Sequence, residues 1–215
     1  MVRTRILTAL ALAAGFAFTP AKAATIIQDG NFDTPLASGT FQTIPGGAFF
    51  GTGNVWKVLG NSVDEIGSYW TPPTPNTGSV DLAGNDLGGI SQAFNVGAGL
   101  YKLSFYLSGN PDGGLGDKHV QVQVGNQNQL FTYSVTGANS KSNMNYVLET
   151  LVFQSNGSGD VLSFLDQDKA SPFGPAIGGV SIASVPEAAT WIMMILGFGG
   201  IGMMLRTRRS ASLVA

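Results

Sequence analysis

The sequence predicts an all-β protein: an antiparallel β-sandwich set between two terminal segments that are addresses rather than fold. Three observations predict it. Apolar and polar residues alternate with period two in segment after segment from residue 79 onward. No amphipathic helix of any length lies between residues 24 and 184, so a parallel sheet would lack its crossover helices. Glycine and proline are dense, 30 and 10 in 215 residues, and polar turn residues recur at the short intervals that separate sandwich strands.

The chain opens with a basic stretch, Val2 to Arg5, then an apolar one, Ile6 to Phe18, then Ala21-Lys22-Ala23. That order predicts a secretory signal peptide over 1–23, cut before Ala24. The domain that follows, 24–184, is long enough for one core. It holds five lysines, no arginine and twelve carboxylates, a net charge of −7. An acidic domain without arginine is a poor partner for a phosphate backbone, so nucleic acid is excluded as a ligand class. There is no cysteine, so the fold must be held by its core.

Within the domain, Thr25 to Gln28 is a short β-branched run. Phe41 to Val58 mixes aromatics with four glycines and a proline, and reads as irregular chain or short edge strands. Thr71 to Thr77 carries three prolines and reads as an extended loop. Ser79 to Leu82, Ile90 to Val96, Tyr101 to Leu107, Val120 to Val124 and Phe131 to Val135 read as strands. So do Val147 to Phe153, Val161 to Leu165 and Ile177 to Ile182, which makes about eight or nine in all. The arrangement expected is a jelly roll. Asn110 to Asp117, the most polar loop, reads as a hairpin connection.

The last thirty residues are of another kind. Ala188 to Leu205 is an uncharged, mostly apolar run of 18 residues, ended by Arg206, Arg208 and Arg209. Its length suits a transmembrane helix over 188–205. The arginines suit a stop-transfer cluster with a cytoplasmic tail, 210–215, which leaves everything before Pro186 outside. Val185-Pro186-Glu187, Trp191, the glycine-bearing apolar span and the basic end together resemble the PEP-CTERM sorting signal of Gram-negative bacteria, here over 185–209. That resemblance implies handling at the inner membrane by an exosortase, a cysteine transpeptidase that cuts near a Pro-Glu-Pro. Here Ala188 stands where the second proline belongs.

A second resemblance covers most of Asp29 to Ile182. Its segments are Asp29-Gly30-Asn31-Phe32-Asp33, Ser62 to Trp70, Ser79 to Gly84, Gly88 to Phe94, Tyr101 to Phe105 with Gly109-Asn110, and Phe173 to Ile177. In this order they resemble the choice-of-anchor C family of bacterial surface proteins, which is similar to a plant cell-wall domain with a galactose-binding-like sandwich. The resemblance implies an exported, non-enzymatic protein of the cell surface or extracellular matrix, with exopolysaccharide as its candidate partner. In the carbohydrate-binding relatives, an acid of the first motif and an Asp on the last strand hold a structural calcium. Asp33 matches the first, but the last-strand position falls at Gly178 or Gly179. No other cofactor is implied.

The candidate binding residues are Tyr69 and Trp70, because sugar rings stack their C–H faces on aromatic rings; Trp56 is placed in the core. The catalytic alternatives are thin. His119 is the only histidine, and no Gly-x-Ser-x-Gly segment accompanies it. Asp166 and Asp168 are too close along a strand to straddle a glycosidic bond. The reading is an exosortase-sorted surface protein that binds polysaccharide. The alternative is a self-associating matrix or adhesion protein without a glycan ligand, which the low charge and Asn/Gln-rich stretches such as Gly125 to Gln129 would also suit.

Overall fold

In the computed structural model, residues 26–33, 40–74, 77–186 and 194–201 are described. Twelve strands form two six-stranded sheets, and every recorded pairing is antiparallel. In chain order they are β1 (Phe41–Pro45), β2 (Phe49–Phe50), β3 (Trp56–Gly60), β4 (Ser62–Ile66), β5 (Ser79–Asp81) and β6 (Gly88–Phe94). Then come β7 (Gly99–Gly109), β8 (Gly116–Val124), β9 (Gln127–Val135), β10 (Val147–Ser155), β11 (Asp160–Asp166) and β12 (Pro175–Ser184). One sheet has the order β1-β4-β5-β12-β7-β10, the other β2-β3-β6-β11-β8-β9.

The sandwich core follows from the alternation. Ile90, Phe164 and Val122 meet across the second sheet and are fully buried; Val80, Ile177 and Leu107 meet across the first. Phe105 joins the layers, with its ring 5.2 Å from Phe131 and 5.1 Å from Phe164, both edge-on. Each such side chain fully removed from water stabilises the fold by about 1.5–3 kcal/mol. Trp56 is buried as expected, and its indole N–H donates to the Asp29 carbonyl at 3.0 Å.

Two expectations change, and one stretch left unassigned gains a role. There are twelve strands rather than eight or nine, because Phe41 to Val58 resolves into three and Ser62 to Ile66 adds a fourth. The stretch from Ile26 to Gln28 is not a strand; it is strapped across the sandwich edge. The buried amide of Gln92 clamps Gln28 there, accepting from its N–H and donating to its C=O, both at 2.8 Å. Asn110 to Asp117 is not a hairpin loop: it carries the chain from β7 in one sheet to β8 in the other through a 3-10 turn, Pro111–Gly113.

On β12 the register slips between Gly178 and Ser181, and Gly179 takes φ +58, a left-handed value that a β-carbon strains. The bulge turns the Val180 N–H outward to the Gly30 carbonyl at 2.8 Å, tying the start of the domain to its last strand. Beyond β12, residues 194–201 are helical and exposed throughout. Among the described residues no helix is long and apolar enough to cross a membrane. The predicted signal peptide and most of the predicted span, with Glu187, Trp191 and the three arginines, lie outside the described residues.

Candidate functional site

A second, smaller apolar cluster lies on the outer face of the first sheet. Ile66, Trp70, Met144 and Ala176 are buried there, with Tyr69 and Tyr146 packed against them. The segments that follow β4 and precede β10 fold over the sheet to make it. Beside this cluster opens a cleft of about 300 Å³.

Strand register builds its floor. Thr43, Asp64 and Asp81 lie opposite one another across β1, β4 and β5 and line the cleft, and the row continues under the cluster through Ala176 of β12 and Ser108 of β7. Two carboxylates are therefore direct cross-strand neighbours, about 4.5–5.5 Å apart at their β-carbons. Asp81 is fully buried. Its Oδ1 accepts from the backbone N–H groups of Ala83 and Gly174, both at 3.0 Å, and its Oδ2 from the Asn110 amide at 2.7 Å. Burial nevertheless pushes its carboxyl up to about 8 against the pull of these donors, and Asp64 adds to the rise. A neutral Asp81 removes the repulsion that two facing carboxylates would carry. Asp64, partly exposed, accepts from the Thr43 hydroxyl at 2.5 Å; burial raises it too, and the hydroxyl partly offsets that.

Asp81 is thus the joint between three distant segments. Gly174 must be glycine, since a β-carbon there would lie 2.9 Å from both the Ala83 nitrogen and Asp81 Oδ1. Asn110 extends the joint: its Oδ1 accepts from the Asp112 N–H at 2.9 Å and sets the 3-10 turn.

Above the floor stand the aromatics. The Tyr69 hydroxyl donates to Asp112 Oδ2 at 2.7 Å and accepts from Lys141 Nζ at 2.7 Å; Lys141 and Asp112 pair at 2.9 Å. Partial burial would raise the Asp112 carboxyl, but the Tyr69 hydroxyl and the Lys141 ammonium outweigh it and hold it below its ordinary value. Phe41, 40% exposed, meets the Tyr69 ring edge-on at 5.0 Å, and Phe173 lines the other side. Trp70 also lines the cleft, yet is only 3% exposed and donates its indole N–H to Ser79 Oγ at 2.8 Å. The structure therefore brings Tyr69 and Trp70 to one cleft in different roles: Tyr69 is a partly exposed ring with Lys141 Nζ 4.0 Å over its centre, Trp70 a buried wall. Asp64, Asn85, Phe41 and Phe173 are site residues that sequence reasoning missed. The convergence of four segments of the second resemblance could have found Asp64 and Phe173, whereas Phe41 and Asn85 lie outside those segments and join the cleft only through the fold.

The other candidates lie elsewhere. His119 is held by Asp168, whose Oδ1 accepts from its backbone N–H at 2.9 Å and meets its Nδ1 at 2.8 Å. Asp168 in turn donates its N–H to Asp166 Oδ1 at 2.9 Å. Burial raises the Asp166 carboxyl to about 6. The two aspartates form a strand-end turn and do not face each other across a cleft. Asp33 is exposed, and among the described residues no three His, Cys, Asp or Glu side chains are grouped to hold a metal ion. A calcium ion at Asp33 would want six to eight oxygens, and the last strand offers no carboxylate there.

Residues 184–209 match the PEP-CTERM protein-sorting motif. The chain carries that sorting signal. It is also 28% identical over 187 residues to halomucin of Haloquadratum walsbyi, a match that takes in 82% of this chain and only 2% of the length of halomucin. Among solved structures, it is similar to a family 35 carbohydrate-binding module from Clostridium thermocellum, at 12% identity and a TM-score of 0.43, over 67% of this chain and 99% of the module. It is also similar to TmCBM61 in complex with β-1,4-galactotriose, at 11% identity and a TM-score of 0.42, over 75% of this chain and 99% of that one. At these values the likeness assigns neither a ligand nor a site.

Proposed function

We propose that this is an exported, non-enzymatic surface or matrix protein that binds a neutral polysaccharide in the cleft over Asp64 and Asp81. The signal peptide carries it across the inner membrane of a Gram-negative bacterium, the 188–205 helix holds it there, and an exosortase processes the tail near Pro186 and Glu187. The sorting-motif match supports the tail's role. The choice-of-anchor C resemblance fits both halves of the reading.

One observation carries the ligand class: partly exposed Phe41, Tyr69 and Phe173 stand around a floor of carboxylate and amide groups. Such rings accept the C–H face of a sugar, and carboxylates and amides accept its hydroxyls. The domain's charge of −7 repels uronates and sulfated glycans. Asp33 does not line this cleft, and binding without calcium is the outcome expected.

The test is titration of the full chain in detergent with neutral and acidic polysaccharides, with calcium and with chelator. Saturable binding of a neutral glycan, unchanged by chelator and lost on Tyr69→Ala or Asp64→Ala, is the expected result. Absence of saturable binding, or binding indifferent to both substitutions, overturns the glycan reading. For the tail, deleting the exosortase should leave residues 187–215 attached, read by mass spectrometry of the C-terminus.

A further inference from the structure

The sandwich has two unlike sides. One side ends on β1, five residues with Pro45 at its end, and on β2, two residues long. Short strands and proline are the usual guards of a sheet edge. The first sheet's opposite edge is β10, nine residues in unbroken register with β7, with no proline and one charge, Glu149.

The outward direction of the β10 backbone is fixed by its end. The Gln154 N–H points away from β7 and donates to Asn126 Oδ1 at 2.9 Å, and the Gln154 carbonyl lies against Gly125. With the period of two, Leu148, Thr150 and Val152 also turn their N–H and C=O groups outward. Among the described residues no partner is recorded for these groups. Their side chains are exposed, Leu148 by 55% and Val152 by 50%. The open window is bounded at one end by the β8–β9 turn on Gln154. At the other it is bounded by the bend at Asn145, whose φ is +52. Thr150 is its centre.

We propose that this edge pairs with β10 of a second copy of the chain, antiparallel about a two-fold axis at Thr150. The window is its own complement. The pairing sets Leu148 opposite Val152 of the copy and Thr150 opposite its own counterpart. The outward residues are then the ones that exchange backbone hydrogen bonds, as an antiparallel ladder requires. Leu148 and Val152 cover each other on the outer face, Thr150 meets a threonine, and Glu149 faces Leu151 rather than a second acid; each of these is a favourable or neutral cross-strand pair. A closed two-fold pairing also uses up the edge and stops at a dimer.

The symmetry has a consequence for the anchored protein. β12 runs parallel to β10, since both are antiparallel to β7. Two copies joined by antiparallel β10 edges therefore send their C-terminal tails in opposite directions. The pair suits chains on two facing membranes, or chains freed by cutting, and not two neighbours on one membrane. The proposal does not rest on glycan binding.

Three measurements on the full chain test it. Light scattering of the detergent-solubilised protein should show a concentration-dependent dimer. Thr150→Pro should weaken it roughly tenfold or more by removing the central donor, because proline at an edge position whose N–H faces solvent leaves the β7 pairing intact. The chain has no cysteine, so Thr150→Cys adds a lone thiol about 5.5 Å, Cα to Cα, from its counterpart across the axis, within disulfide reach. Mild oxidation should link Thr150→Cys into dimers while Thr132→Cys, on the other sheet's edge strand β9, stays monomeric. Vesicles carrying the chain should cluster with one another, and Thr150→Pro should abolish the clustering. A protein monomeric at every soluble concentration, or Thr132→Cys linking as fast as Thr150→Cys, overturns the proposal. Intact glycan binding by Thr150→Pro separates a failure here from a failure of the cleft.

Discussion

Asp81 shows how much one residue can hold. Its carboxyl oxygens, fully buried, satisfy donors from Ala83, Gly174 and Asn110. Asp81→Ala would leave those donors buried and unpaired, at about 1–3 kcal/mol each, so the domain should lose several kcal/mol in urea unfolding. Glu65 is a second buried acid, on the inner face of β4 beside Val80, where burial and then the nearby Asp29 raise its carboxyl to about 7. Both acids titrate higher in the folded chain than their ordinary values of 4.5 for Glu65 and 3.8 for Asp81. The folded state therefore holds protons that the unfolded state gives up. The stabilisation is complete below about pH 4 and is lost as pH rises through about 7 for Glu65 and about 8 for Asp81. Thermal melts should show a lower Tm at pH 8 than at pH 5, and Glu65→Gln should flatten the lower part of that slope. A Tm that rises across this range would contradict the burial of these acids.

At the scale of elements, what was legible in the sequence depended on whether a strand has one wet face. β7, β8, β9 and β10 each alternate buried and exposed residues over much of their length, and the period of two reveals them. β4 and β5 do not alternate. Their inner faces meet the sandwich core and their outer faces the Trp70 cluster or the Asp81 joint, so almost every residue is buried. No alternation survives there: Ser62 to Ile66 shows only as part of a motif, and Ser79 to Leu82 reads as a strand with no sign that both its faces are covered. Asn110 to Asp117 misled for another reason: turn residues mark where a chain bends but not which sheet it enters next. The site shows the same divide. Tyr69 and Trp70 stand out as adjacent aromatics, whereas Phe41, Asp64 and Phe173 become neighbours only through strand order. The roles assigned to the two aromatics separate in one experiment. Trp70→Ala opens a cavity under the loops and should destabilise the domain by about 3–5 kcal/mol. Tyr69→Ala, at the partly exposed rim, loses its bonds to Asp112 and Lys141 and should cost only about 1–2 kcal/mol while removing glycan binding. Equal stability losses for the two would place Tyr69 in the core instead.

For the molecule as a whole, β12 is the axis that relates site to tail. It begins at Pro175, beside Gly174 and the Asp81 joint, and ends at Ser184, followed by Val185, whose N–H donates to the Leu100 carbonyl at 2.9 Å. Ten residues of strand at about 3.3 Å each separate the two by roughly 30 Å. The cleft and the first residues of the sorting motif, from Ser184, therefore lie at opposite ends of β12. A domain tethered by residues after 186 would carry its cleft away from the anchoring surface, and removing the tether would not reshape it. The expected result is that the full chain embedded in a lipid disc and the exosortase-processed chain bind the same neutral glycan with the same affinity, within the error of titration. The association rate should fall in the disc, where half of all approaches are blocked by lipid, with the dissociation rate unchanged. If processing instead altered the dissociation rate, the tail or the lipid would have to touch the cleft, and the opposition of the two ends along β12 would not describe the anchored protein.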